Sequence, residues 1–381
     1  MNNLFDENYL EDLPQNISEN LNYLNNYVIQ VICKRLNKIG QIKSSYDIAQ
    51  LKNAIEYASV DLKVIESEIG KVTNKNIEEI QNVFEQVAKV NIDFANTYYK
   101  YRGMKEVKSY KDNKKLEIIV EAIKNQAMED YKNISNTYGF LTHGKYKNIR
   151  QQYINIIDRG ITAVATGTMD YNTAVRNSVK EMINSGVRTV DFESGYSRRM
   201  DSQVRMNVME GVRRLNMEIF DITSKEFGAD GYEITAHALC APDHQFIQGR
   251  QLTKKEYEEL NNGLKRPIGT LNCKHIAIPI VIGVSSPTYS NKELDKIIDK
   301  SNQPVVYDDK VYTRYEASQR QRKLETKIRK EKENLENFKI LQDDIQIKKS
   351  KDKIKELTNL YKDFSNSVGL SLHLEKTRIY K

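Results

Sequence analysis

At 381 residues, with 29% charged and 39% hydrophobic side chains, the chain is long enough for two or three domains around a substantial core. Its 59 basic residues are interspersed with 52 acidic ones, and a formal net charge of +7 is too mild to define a nucleic-acid binder. Three cysteines make no disulfide framework, the acidic N-terminus (Asp6, Glu7, Glu11, Asp12) lacks the order of a signal peptide, and the longest apolar run, Ile276 to Val284, is far too short for a membrane span.

Between Pro14 and Pro242 there is no proline, and helical periodicity runs almost throughout. Leu21, Leu24, Val28, Val31 and Ile39 mark one face before Gly40. Ile48, Leu51, Ile55, Leu62 and Ile69 mark a second before Gly70, and Ile77, Ile80, Val83, Phe84 and Val87 a third. Because glycine adopts positive φ without strain, both glycines are read as helix stops. A further helix runs from about Asn148 to Ala165 and ends at Gly167. Asp170 then caps one bearing Tyr171, Val175, Val179 and Met182, which stops at Gly186. Val204, Val208, Val212, Leu215, Ile219 and Ile222 form the longest continuous apolar stripe. Arg198, Arg199, Arg205, Arg213 and Arg214 decorate this helix, as a solvated face with ion pairs rather than a phosphate site.

At Gly231 the texture changes. Gly231 to Ala236 reads as a short strand and Ile276 to Ile282 as a second. Between them Thr253-Lys-Lys-Glu256 has capping-box form and opens a short helix, followed by loop from Lys265 to Thr270. After Pro304 the chain reads as helical again. Leu324, Ile328, Leu335, Phe338, Leu341 and Ile345 suit a hairpin arm or a coiled-coil partner, and Lys348, Lys349, Lys351, Lys353 and Lys355 a solvated basic face. The expected fold is mainly α: long amphipathic helices, a small α+β insert and a C-terminal helical arm. It is divided as an N-terminal helical region (1–195), a long helix plus compact motif (196–290) and a C-terminal arm (291–381).

Five of the eight histidines and cysteines, His237, Cys240, His244, Cys273 and His275, fall within the compact region. Zinc favours thiolates and imidazoles in a tetrahedron, with ligand pairs typically two to four residues apart. Cys240-x3-His244 and Cys273-x-His275 can supply such a set, with His237 as a spare, although one intervening residue makes the second pair tight. The plainer reading leads: the histidines hydrogen-bond loop backbone, and the cysteines are small buried hydrophobes. A catalytic reading finds less. Asn272 and His275 precede a strand and do not match the spacing of nucleases with a His-Asn-His core. A Cys/His nucleophile pair has no evident orienting group, and there is no Walker loop, dinucleotide turn or acidic metal box.

The ordered polar set His237-x6-His244-x3-Gln248-Gly249, then Gly269-Thr-x-Asn272-Cys273-Lys-His275-x3-Pro279 and Gly283, resembles the phage minor capsid protein 2 family, which is related to Mu F-like head morphogenesis proteins. Tyr315-Glu-Ala-x-Gln319 to Arg329 and Phe364 to Leu370 with Arg378 are similar to its later helices. The resemblance covers about residues 196 to 381, with the N-terminal half alike in texture only. Ala241, Ile247 and Cys240 depart from the family pattern.

The resemblance implies a structural component of a tailed-phage head, made in the bacterial cytoplasm and present in the virion in few copies as an oligomer. Its expected partners are portal, head or scaffold proteins and packaged DNA, without membrane, catalytic residue or required cofactor. Because the chain ends soon after the familial helix, no fused toxin is expected. The alternative is a metal-dependent enzyme or DNA-processing factor working in packaging or ejection through His237, His244, Cys273 and His275.

Overall fold

A computed structural model describes residues 7–40, 48–166, 168, 171–191, 194–270 and 273–379. Its elements in chain order are α1 (Glu7–Asp12), α2 (Gln15–Gly40), α3 (Ile48–Tyr101), α4 (Lys114–Ser135), β1 (Gly139–Thr142), β2 (Lys145–Asn148), α5 (Ile149–Ala165), α6 (Tyr171–Ser185), β3 (Arg188–Val190), β4 (Ser197–Arg199) and α7 (Met200–Phe227). There follow β5 (Gly231–Ile234), β6 (Gln251–Thr253), α8 (Lys254–Gly263), β7 (Ala277–Ile280), α9 (Asn291–Asn302), β8 (Pro304–Tyr307), β9 (Lys310–Thr313), α10 (Arg314–Ile340) and α11 (Asp344–Ser367). The fold is mainly α, with a small α+β insert and a C-terminal helical hairpin, as the periodicity implies.

Two compact units share the chain. One combines the segment ending at Asn16 with Ile77–Asp130 and Arg205–Arg320; the other combines Ile17–Asn76, Tyr131–Val204 and Gln321–Lys381.

In the second unit α2 and the first half of α3 pack antiparallel. Leu21, Leu24, Val28, Ile32 and Leu36 are buried along α2, as are Leu62, Ile65 and Val72 along α3. Polar pairs set their register: Asn20 with Asn76 at 2.8 Å, Tyr23 with Glu68 at 3.0 Å, and the Arg35 fork on Asp61 at 2.8 and 2.9 Å. A four-stranded antiparallel sheet, in the order β2-β1-β3-β4, belongs to this unit. Its β1–β2 hairpin turns on His143 and Gly144, both at positive φ (50° and 71°), which is the type I′ pattern that suits strand twist. The arm is α10 against α11, reversed at Leu341–Asp343 with Gln342 at φ 55°. It is pinned internally by Gln321 to Ser365 (2.9 Å), Ser350 to Glu331 (2.7 Å) and Tyr361 to Glu325 (3.1 Å).

In the first unit the second half of α3 runs parallel to α7. Asn91 donates to Asn216 at 2.7 Å, Phe94 meets Phe220 at 5.7 Å between centroids, and Tyr98 stacks on Phe227 at 4.5 Å. The helices come close because Gly211 has no side chain; a Cβ there would lie 2.6 Å from the Phe84 ring. The insert is a three-stranded antiparallel sheet, β6-β5-β7, with α8 opened by the predicted capping box: Thr253 and Glu256 exchange both bonds.

Four expectations are corrected. Gly70 stops nothing: α3 is continuous from Ile48 to Tyr101, because the stripe Leu62, Ile65, Val72, Asn76, Ile80, Phe84 and Val87 passes it without a phase break. Arg198 and Arg199 lie on β4, and only Arg205, Arg213 and Arg214 on α7. Helix does not resume at Pro304; β8 and β9 form a hairpin turning on Asp308 and Asp309, both at positive φ, before α10 begins. The apolar stripe also does not run through Leu341 to Ile345, since the chain reverses there and Ile345 is exposed. α4 and the four-stranded sheet were not foreseen. Gly167 and Asp170 lie outside the described residues, as do the side chains of Ile39, Ile48, Leu51, Ile55 and Tyr171. No helix among the described residues is long and apolar enough to cross a membrane.

An interior glycine that nothing requires weakens its helix. Gly70 is exposed, and a Cβ added there meets nothing within 4 Å. Gly70→Ala is expected to raise stability by about 0.5–1 kcal/mol, read as a higher urea midpoint at unchanged m. A lower midpoint would show that the helix needs its flexibility there.

Candidate functional site

The His/Cys region grows out of the small sheet. β5 and β7 pair in the register Ile234↔Ala277. Beyond the last pair, Thr235 N–H donates to the Ile276 carbonyl at 3.0 Å and Ile276 N–H to the Thr235 hydroxyl at 2.9 Å. The two exits therefore leave side by side, and the rings of His237 and His275 lie 4.4 Å apart. From β5 the chain enters a 3₁₀ turn, Pro242–Ile247, started by a proline that presets φ. Ile247 is buried with Ile234, Leu252 and Ile268, anchoring the turn and turning His244 inward.

Gln248 and Gly249 return the chain to β6. Gly249 has φ +67°, donates to the Ile234 carbonyl at 2.8 Å, and would place a Cβ 2.4 Å from Leu294. Gly269 has φ +79°, and a Cβ there would meet Arg213 at 2.6 Å. The loop is tied down by Arg266, which forks onto Asp243 with one bond of 3.0 Å, and by Ile268 N–H to the Asn261 side chain at 2.8 Å. Cys273 N–H then donates to the Thr270 carbonyl at 2.9 Å, presenting the thiol to the turn.

Of the five candidate ligands the fold brings three together. His244, Cys273 and His275 offer ligand atoms within 4.8 Å of one another, the two histidines almost fully buried and Cys273 partly so. Cys273 Sγ lies 3.3 Å from His244 Nδ1 and 3.3 Å from His275 Nδ1. His237 and Cys240 stand outside this set. His237 faces the His275 ring with Nδ1 3.1 Å from the Ala238 carbonyl, and the Cys240 thiol donates to the Ala241 carbonyl at 3.5 Å. Asn272 lies outside the described residues. Gln248, an element of the recognised motif with no role assigned from sequence, is buried with Oε1 facing both His275 Nε2 (3.1 Å) and the His237 main-chain N–H (2.8 Å). The Arg266–Asp243 pair was missed altogether; its partners are 23 residues apart and no local pattern announces them.

The electrostatics follow from burial and neighbours. Burial, with His237 and His244 adding to it, pushes His275 down to about 2, so its ring is neutral. His244 is raised above its ordinary value, chiefly by its hydrogen bond with Cys273. Burial lifts the Cys240 thiol to about 12, and the Arg266 guanidinium holds Asp243 below the usual carboxylate range. Chemically, the arrangement can bind a soft divalent ion or hold a thiolate against an imidazolium. A hydrolytic triad is not assembled from Asp243, because its carboxylate serves Arg266 while His244 Nε2 faces the Arg266 main-chain oxygen at 2.7 Å.

The fold thus defines a largely helical protein whose compact insert orders a polar cluster. The chain belongs to the phage minor capsid protein 2 family, whose model matches residues 5–366. It is therefore a structural protein of the phage capsid. The match reaches through the N-terminal half, where only texture had been legible, and stops short of Gly369 and Arg378 at the other end. Neither a curated protein nor a solved structure matches the chain significantly.

Proposed function

We propose that this capsid protein is a minor, portal-associated component of the head that acts in procapsid assembly and meets the packaged DNA. On this reading it is made in the host bacterial cytoplasm and retained in the virion as an oligomer. The observation that carries the reading is the family match over nearly the whole chain. Surface features support it. Tyr57, Val60 and Val64 expose 52%, 54% and 44% of their areas at i, i+3 and i+7 of α3, an apolar stripe suited to a neighbouring head protein. All five lysines between Lys348 and Lys355 of α11 are exposed, a basic face suited to phosphate, although Lys353 pairs with Glu356 at 2.9 Å.

Quantitative peptide mass spectrometry on purified particles, before and after triggered DNA release, tests this. A few to some tens of copies per particle is the expected result, on the order of one ring or a small multiple of it. Loss on release would place the protein with the genome. Absence from mature particles, with abundance in infected cells, would overturn the virion role.

A second reading, a metal-dependent enzyme or DNA-processing factor, has the Cys273–His244 contact in its favour. It requires metal-dependent cleavage of DNA that a folded His244→Ala protein has lost.

A further inference from the structure

We infer that His244, Cys273 and His275 form a binding site for one zinc-class divalent ion, held by the two Nδ1 atoms and the Cys273 thiolate. The inference stands independently of portal association. It rests on which atoms can donate. His244 Nε2 lies 2.7 Å from the Arg266 main-chain oxygen, which can only accept, so Nε2 carries the ring proton. Gln248 presents its oxygen to His275 Nε2, because the same atom accepts the His237 main-chain N–H, which can only donate. His275 Nε2 therefore carries its ring proton too.

With both rings neutral, each Nδ1 is then a lone pair, and both face one sulfur at 3.3 Å. A thiol has a single hydrogen and can satisfy one of them; the other is set against sulfur lone pairs in a buried pocket. A metal ion in place of that hydrogen satisfies all three atoms together. Bond lengths of about 2.3 Å to sulfur and 2.0–2.1 Å to nitrogen, at tetrahedral angles, put sulfur and nitrogen about 3.5 Å apart. The observed separations are close to this. The outer partners are also those of a metal site, in which each ligating imidazole donates its second N–H to a carbonyl oxygen. Arg266 and Gln248 supply them, which gives the buried Gln248 a role. Cys240 is no ligand in this arrangement, and of the three ligands Cys273 alone is partly exposed.

Tight as the Cys273-x-His275 spacing is, Cys273 N–H closes on the Thr270 carbonyl, His275 precedes β7, and both side chains bring a ligand atom to the cluster. The ion would tie residues 244 and 273 across the insert and hold the 265–275 loop on the 3₁₀ turn.

Cobalt(II) titration of the full-length, chelator-treated protein tests the site, with cobalt itself as the probe. Saturation at one equivalent is expected, with a sulfur-to-cobalt charge-transfer band and the intense visible bands of tetrahedral cobalt, both displaced by zinc. Cys273→Ser should lose the charge-transfer band, Cys240→Ser should keep it, and Gln248→Ala should weaken binding about 10- to 100-fold. Circular dichroism confirms that each variant is folded. No stoichiometric band in the folded wild-type protein would overturn the site and leave a proton on His244 as the resolution. A band that survives Cys273→Ser but not Cys240→Ser would overturn the ligand assignment.

Discussion

Arg199→Met is expected to destabilise the protein by about 3 kcal/mol in urea unfolding, because it strands a buried carboxylate. Arg199 ends β4 and reaches Asp201 at 3.3 Å and Glu333 of α10 at 3.8 Å. The Glu333 side chain is only 3% exposed. Burial already holds its carboxyl above the ordinary value, with Arg199 the largest opposing influence and Arg329 and Lys330 smaller ones. Removing the guanidinium leaves those weaker charges as compensation, so the loss falls at the lower end of the 3–5 kcal/mol typical of a broken buried pair. One effect works the other way: Arg188 is the direct cross-strand partner of Arg199, and like charges so placed repel.

The pH dependence has a definite sign. A carboxyl whose folded pKa is raised contributes stability below its unfolded pKa, about 4.3, and loses it as pH rises through the folded value. Removing Arg199 raises the folded value further. The deficit of the variant is therefore full near neutrality and shrinks on acidification toward the unfolded pKa. Adding Glu333→Gln should restore at least half of the loss at neutral pH. A single variant within about 0.5 kcal/mol of wild type, or a double variant no better than the single, would show that the pair is not what secures α10 to β4.

Gly249→Ala is expected to cost about 2–5 kcal/mol, for two separable reasons. A non-glycine residue at φ +67° costs roughly 1–2 kcal/mol, and forcing a methyl group into a packed site typically costs a further 1–3 kcal/mol. The methyl group would sit 2.4 Å from a Leu294 methyl carbon. Gly283, at φ +74° with nothing within 4 Å, isolates the backbone part: Gly283→Ala should cost only about 1–2 kcal/mol. Leu294→Ala introduced into the Gly249→Ala protein should recover the steric part. Equal losses at the two glycines would remove the packing argument. The result bears on the site directly, since Gly249 follows Gln248 and its N–H fixes the end of β5.

The amphipathic helices were readable because each apolar stripe records a local fact, the 3.6-residue period of a face that must be buried. The same logic misread Gly70: a glycine signals a stop only if the chain turns there, and the stripe continued past it. The β1–β2 and β8–β9 hairpins carried weaker signals. His143-Gly144 and Asp308-Asp309 are I′ turns without the Asn-Gly or Asp-Gly pair that marks such turns most strongly, and strands of four residues are too short for alternation to show. At the cluster, residue types and family resemblance pointed to five candidate ligands and to Gln248. Sequence spacing ranks Cys240-x3-His244 above Cys273-x-His275, whereas the fold converges His244, Cys273 and His275 and sets Cys240 aside.

By itself, then, the sequence determined the helical class, the family and the place where the chemistry lies, because periodicity, caps and ordered polar identities are local properties. Which side chains meet, and which ring nitrogen carries a proton, was decided by contacts between distant segments: Arg266 against Asp243 and His244, and Gln248 against His275. The interleaving of three chain segments in each compact unit was decided in the same way. Such contacts close long loops, and their free energy depends on the packing of the whole unit rather than on any one stretch of chain.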